Sequence, residues 1–116
     1  MADPTPFRRP INWNRLRAGE AERVIRERAK ASSNVIIHEN AHAALRARER
    51  DIPEPEVRRI LLTGTVIKSP LRNEHGDWEA IIQRRIKGAR DAGVVTIIVR
   101  RDETLIVKTI MWMDYR

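Results

Sequence analysis

The chain has 116 residues, with 23 basic and 16 acidic side chains and no cysteine. That length builds one domain around a single core, and the absence of cysteine excludes a disulfide framework, a thiolate nucleophile and a cysteine zinc site. The net charge of +7 favours a polyanionic partner, and with no apolar run near the roughly 18 residues of a membrane span and no export-signal pattern at the N-terminus, a cytoplasmic location away from membranes is expected.

Residues 1–12 read as a flexible basic arm, with three prolines and two arginines among the first ten. Residues 13–116 read as a single α+β domain. A first helix is expected over residues 13–31, where Ala21, Val24 and Ile25 share one face and Glu22 precedes Arg26 by four positions. Ser32, Ser33 and Asn34 break it, and Val35, Ile36 and Ile37 form a short β-branched run suited to a sheet edge. Asn40 can cap a second helix with Ala41, Ala44 and Leu45 as its core stripe. His42, Arg46 and Arg50 follow at intervals of four, a row beside that stripe. A third helix starts after Pro53, with Glu54, Pro55 and Glu56 in its first turn, where the missing proline amide costs nothing and acids meet the positive dipole end. Val57, Ile60 and Leu61 are its buried face, and Gly64 is expected as a left-handed cap.

The sheet follows. Residues 65–69 begin it and residues 70–76 read as a link. From Trp78 the pattern alternates, with Trp78, Ala80, Ile82 and Ile86 on one face and Glu79, Gln83, Arg85 and Lys87 on the other. The GARDAG stretch at residues 88–93 and the polar residues 101–103 read as turns. Residues 94–99 and 105–113 are apolar on both faces, with Lys108 the only charge in the second run, so each is sandwiched or awaits a partner. The fold expected is α+β, with N-terminal helices followed by a mainly antiparallel sheet of about four strands. Arg84, Arg85, Lys87 and Arg90 gather four cations within seven residues at one end of it.

An ordered series runs through the chain: His42-Ala43, Arg46, Arg50 and Ile52, Leu61 and Gly64, Trp78, the GARDAGVVT stretch at residues 88–96, and Thr109 with Trp112. It resembles a small bacterial domain family of unknown function, similar to the BrnT-like and RelE-like toxins of toxin–antitoxin pairs. Ala47 departs from the pattern where a larger apolar residue is expected. The resemblance implies a RelE-like fold, an endoribonuclease cutting messenger RNA, including RNA on the ribosome, and a cognate antitoxin protein as partner, with no metal or other cofactor. Attack of a ribose 2′-OH on the adjacent phosphorus needs a proton acceptor, a donor to the leaving 5′ oxygen and stabilisation of the phosphoryl charge. His42 is the candidate proton shuttle. Arg46 and Arg85 are candidate catalytic clamps and Lys108 a further electrostatic group. Arg50, Arg84, Lys87 and Arg90 are candidate RNA contacts, and Trp78 or Trp112 a base platform.

Every one of these has a structural alternative. His42 beside a core stripe suits a hydrogen-bonded structural histidine, Arg50 a cation at a helix C-terminus, Lys108 a stem lying along the sheet, and the tryptophans core positions. Arg84 and Arg85 must point to opposite faces of one strand, with Arg85, on the polar side, the favoured RNA contact. Two other functions compete. His38-Glu39-x-x-His42 has zinc-peptidase spacing, which requires one helix through both histidines; the strand-like residues just before His38 and the cap at Asn40 argue against it. A non-catalytic module would hold nucleic acid by phosphate contacts or dock a partner protein on its apolar strands.

Overall fold

The computed structural model describes residues 11–37, 52–86 and 90–113. The expectations placed on His38, Glu39, Asn40, His42, Arg46, Arg50 and Lys87 lie outside the described residues, as does that on most of the N-terminal arm. Ile11 and Trp13 pack against the core ahead of the first helix.

Helix α1 (Ala18–Ala29) is shorter than the span of residues 13–31 expected for it, because Arg17 is extended and its amide donates to Glu20 Oε1 at 3.4 Å. It buries Ala21, Val24, Ile25 and Ala29. A single 3₁₀ turn (Ser32–Asn34) ends the segment, with Asn34 Nδ2 donating to Arg28 O at 3.3 Å. Strand β1 (Val35–Ile36) follows and precedes helix α2 (Glu54–Thr63), so the helices are not all N-terminal to the sheet. Helix α2 starts with Glu54 and Glu56 in its first turn and buries Val57, Ile60 and Leu61. No helix among the described residues is long and apolar enough to cross a membrane.

Among the described residues the sheet has six strands rather than about four. Strands β2 (Thr65–Val66), β3 (Leu71–Arg72), β4 (Trp78–Ile86), β5 (Arg90–Ile98) and β6 (Leu105–Trp112) join β1 in the order β1-β6-β5-β4-β2, with β3 also on β4. Strand β1 runs parallel to β6 at the edge, and every other pairing is antiparallel. Strand β3 lies inside the stretch expected to be only a link; two residues carry too little periodicity to announce a strand.

Two glycines depart from the expected turn roles. Gly64 is extended, with φ −78° and ψ −177°, rather than left-handed. A Cβ there would stand 2.6 Å from Ile60 O, 2.7 Å from Gln83 O and 2.8 Å from Ile82 Cγ1, so glycine is required by close approach of helix and strand. Gly93 lies within β5 instead of a turn, because the pairing of β5 with β4 already starts at Arg90, opposite Ile86. Met113 Sδ would be 2.6 Å from a Cβ on Gly93.

One sheet face carries the helices. Ala80 and Ile82, Ala92, Val94, Thr96 and Ile98, and Leu105, Val107 and Ile110 are all buried there with the apolar residues of α1 and α2. Position parity changes within β6. Val95 pairs with Thr109 but Thr96 with Val107, so Lys108 is the extra residue of a β-bulge. That bulge keeps Leu105 and Val107 on the same face as Ile110 and Trp112. It turns a run that looks apolar on both sides into a strand with one fully buried face.

Candidate functional site

Arg84 occupies the helix-bearing face of β4, one register step beyond Ile82 on that face, and ends at the C-terminus of α2. Its Nη1 donates to Thr63 Oγ1 at 2.7 Å, and that hydroxyl donates to Arg59 O at 2.8 Å. Arg84 Nε is buried with no hydrogen-bond partner. From α1, Arg26 reaches the same helix end, donating through Nη2 to Gly64 O at 2.7 Å while pairing with Glu22 at 3.3 Å. Glu22 in turn accepts from Val66 N at 2.9 Å. Two guanidinium groups thus meet the negative end of the α2 dipole, which accounts for part of Arg84's placement but leaves its Nε unmatched.

Across the sheet, Arg84 pairs with Ala92, and Ala92 pairs with Trp112. The small Ala92 is therefore the floor between a guanidinium and an indole. Arg90, one step further along the same face of β5, lies over the Trp112 ring at 4.0 Å from its centroid. Diagonal neighbours in an antiparallel pair stand about 7–8 Å apart, so Arg84, Arg90 and Trp112 form one cluster at this end of the helix-bearing face. Thr63 completes its polar lining; its part in the site had no signal in the sequence, since a threonine in a last helical turn is unremarkable.

The remaining candidates are not brought there. Arg85 points to the opposite face, 3.4 Å from Asp91, its in-register partner on β5. Lys108, at the bulge on that same opposite face, pairs with Glu79 at 3.1 Å. Glu79 and Arg85 are six residues apart on one strand, roughly 20 Å, so Arg85 and Lys108 do not address one phosphate. Both are exposed ion pairs of the kind that contributes little to stability.

Trp78 is at the far end of β4 from Arg84. It is buried, donates from its indole nitrogen to Trp13 O at 3.0 Å, and has Arg72 over its ring at 5.7 Å. It borders a shallow recess of about 390 Å³ with Arg15, Arg17 and Ser69. Nearby, Arg28 lies over Trp13 at 5.5 Å and donates to Val99 O and Thr104 O, clamping the β5–β6 turn. Burial pushes the Arg28 guanidinium below its ordinary pKa, opposed by the carboxylates of Glu103, Asp102 and Asp77. These tryptophans anchor the N-terminal segment to the sheet.

Among the described residues no group of three or more histidine, aspartate or glutamate side chains is placed to hold a metal ion. His75 is exposed in the β3–β4 loop beside Glu74. The His38-Glu39-x-x-His42 motif lies outside the described residues, and the strand β1 expected just before it is present.

No curated protein and no solved structure matches the chain. A family model for a domain of unknown function does match, over residues 40–112, a span that takes in α2 and every strand except β1. The chain therefore belongs to the DUF4258 family.

Proposed function

We propose that this domain is a toxin-like endoribonuclease that binds single-stranded RNA at the Arg84–Arg90–Trp112 end of its helix-bearing face. The observation that carries the reading is the cluster around Ala92: two guanidinium groups, one with a buried unmatched N–H, beside an indole. Phosphate oxygens are strong acceptors for such donors, and a base stacks on a guanidinium plane as readily as on an aromatic ring. The excess of positive charge across the chain supports a polyanion as ligand.

Cleavage in this reading uses the substrate's own nucleophile. The 2′ oxygen forms a bond to phosphorus as the bond from phosphorus to the 5′ oxygen breaks. The 2′ proton passes to His42 and a proton is returned to the leaving oxygen, giving a 2′,3′-cyclic phosphate and a free 5′-OH. Arg46 and Arg50, on the same stretch of sequence as His42, are further clamps for the phosphoryl oxygens, and a cognate antitoxin protein is the partner that would restrain the activity.

The test is incubation of the full chain with end-labelled single-stranded RNA in the presence of a chelator. Fragments ending in 2′,3′-cyclic phosphate, lost in His42→Ala while RNA binding stays within about twofold, support the reading. Binding with no cutting by the wild type would reduce it to a non-catalytic RNA-binding module. Neither binding nor cutting would overturn it.

A further inference from the structure

The second face of the sheet is built differently. One cross-strand row runs in register from Leu71 through Glu79, Ile97 and Ile106 to Ile36, and the next joins Ile81, Val95 and Thr109. Leu71 is 74% exposed and Ile36 38% exposed, and none of the apolar side chains in these two rows is buried. An open, β-branched face of this kind marks an interaction surface.

Its charges identify the occupant. Among the described residues of the three long strands, this face carries two cations and two carboxylates, matched as Lys108 with Glu79 and Arg85 with Asp91. It is therefore electrically neutral on a chain of net charge +7. RNA would need free cations and aromatic platforms, and an acidic protein would need unmatched cations; these strands offer neither here. Two chains of charge +7 repel over most of their surfaces, so contact between copies is favoured where the local charge cancels. Glu79 and Arg85 lie at opposite ends of β4, so a two-fold axis through the middle of the strand sets each copy's Glu79–Lys108 pair over its partner's Arg85–Asp91 pair. Face-to-face packing of two sheets about 10 Å apart is the standard way to cover such a surface.

We infer that this face is the interface of a homodimer, packed sheet on sheet with the β4 strands antiparallel. From strand spacing and rise, each copy contributes roughly 500 Å² of sheet, about 1,000 Å² in all. That is about the lower limit for a specific interface, so a weak, concentration-dependent dimer is expected. The helix-bearing faces point outward, leaving both copies of the Arg84–Arg90–Trp112 cluster accessible, so the dimer stands whether or not that cluster binds RNA.

Sedimentation velocity of the full chain across about 5–500 µM tests the inference. The wild type is expected to move from the 13.5 kDa chain to twice that mass, and Ile97→Asp to raise the dissociation constant tenfold or more. Leu71→Asp, at an exposed position that folding does not depend on, should raise it severalfold and serves where Ile97→Asp fails to fold. A double variant, Glu79→Lys with Arg85→Glu, makes one end of the face positive and the other negative, and the antiparallel arrangement then tightens the dimer. A wild type that stays monomeric throughout, or dimerises equally well with Leu71→Asp and Ile97→Asp, overturns the inference. Loosening in the double variant overturns the two-fold arrangement.

Discussion

Ile81 and Ile82 are neighbours on one strand, yet they live in different solvents. Ile82 is fully buried under the helices, while Ile81 is only partly covered on the opposite face. The same contrast runs across β4, β5 and β6, and it divides the chemistry as well as the packing. The helix-bearing face ends in a cluster of arginines around an indole, whereas the other face carries cations already matched by carboxylates. Proximity in sequence, such as Arg84 next to Arg85, therefore says little about proximity in function; parity along the strand decides it.

The largest effect expected from breaking this contrast is on stability. Ile82→Ala should cost about 2–5 kcal/mol, the loss of transfer energy plus an unfilled cavity, whereas Ile81→Ala should cost under about 1.5 kcal/mol because its site is already wet. Urea unfolding of the two variants at protein concentrations where the chain is monomeric measures the difference, and equal costs would mean that both faces are covered within the single chain. Gly64→Ala comes next. Its Cβ meets two carbonyl oxygens and a core side chain, so α2 must back away from β4, at about 1–3 kcal/mol. A variant as stable as the wild type would show that helix and strand are not so closely apposed.

The smallest effect sharpens the far end of the sheet. Hydrogen bonds from Thr104, through its side chain and its backbone amide, hold the Asp102 carboxyl below its usual pKa, with nearby Arg101 and Arg28 adding to the effect. A depressed folded-state pKa stabilises above the unfolded carboxylate range, and that contribution fades as pH falls through the folded value. The Thr104 amide resonance should follow this titration at a pH below the ordinary aspartate range. An Asp102 that titrates normally would contradict the turn's hydrogen bonding.

Much of this division was legible in the residues. The alternation from Trp78 placed Ala80, Ile82 and Ile86 against Glu79, Gln83 and Arg85, and with it the split between Arg84 and Arg85. The acids and proline at the start of α2 marked its N-terminus, and the β-branched residues after Asn34 marked the edge strand β1. Other features were hidden for physical reasons. The bulge at Lys108 shifts the side-chain period by one residue, so residues 105–113 read as apolar on both faces when their buried side is a single one. Gly64 looked like a helix cap because helix ends favour glycine, but its role is contact with a strand whose distance no local pattern encodes. Arg90 looked like a turn residue among glycines and alanines, and only the pairing of Ile86 with Arg90 sets it in a strand above Trp112. The cluster around Ala92 thus depends on cross-strand register, which a single sequence does not display.

In the proposed function, RNA is held at this cluster. The most direct measurement is fluorescence anisotropy of a labelled single-stranded RNA titrated with wild type, Arg90→Ala and Arg101→Ala at several salt concentrations. Arg101 is an exposed cation in the β5–β6 turn and controls for net charge. With RNA held at the cluster, Arg90→Ala weakens binding about tenfold and flattens the salt dependence by about 0.7 in log–log slope, the loss of one phosphate contact, while Arg101→Ala stays within about twofold of wild type. Equal, small losses for both variants would mean that RNA responds only to overall charge, and would contradict that placement.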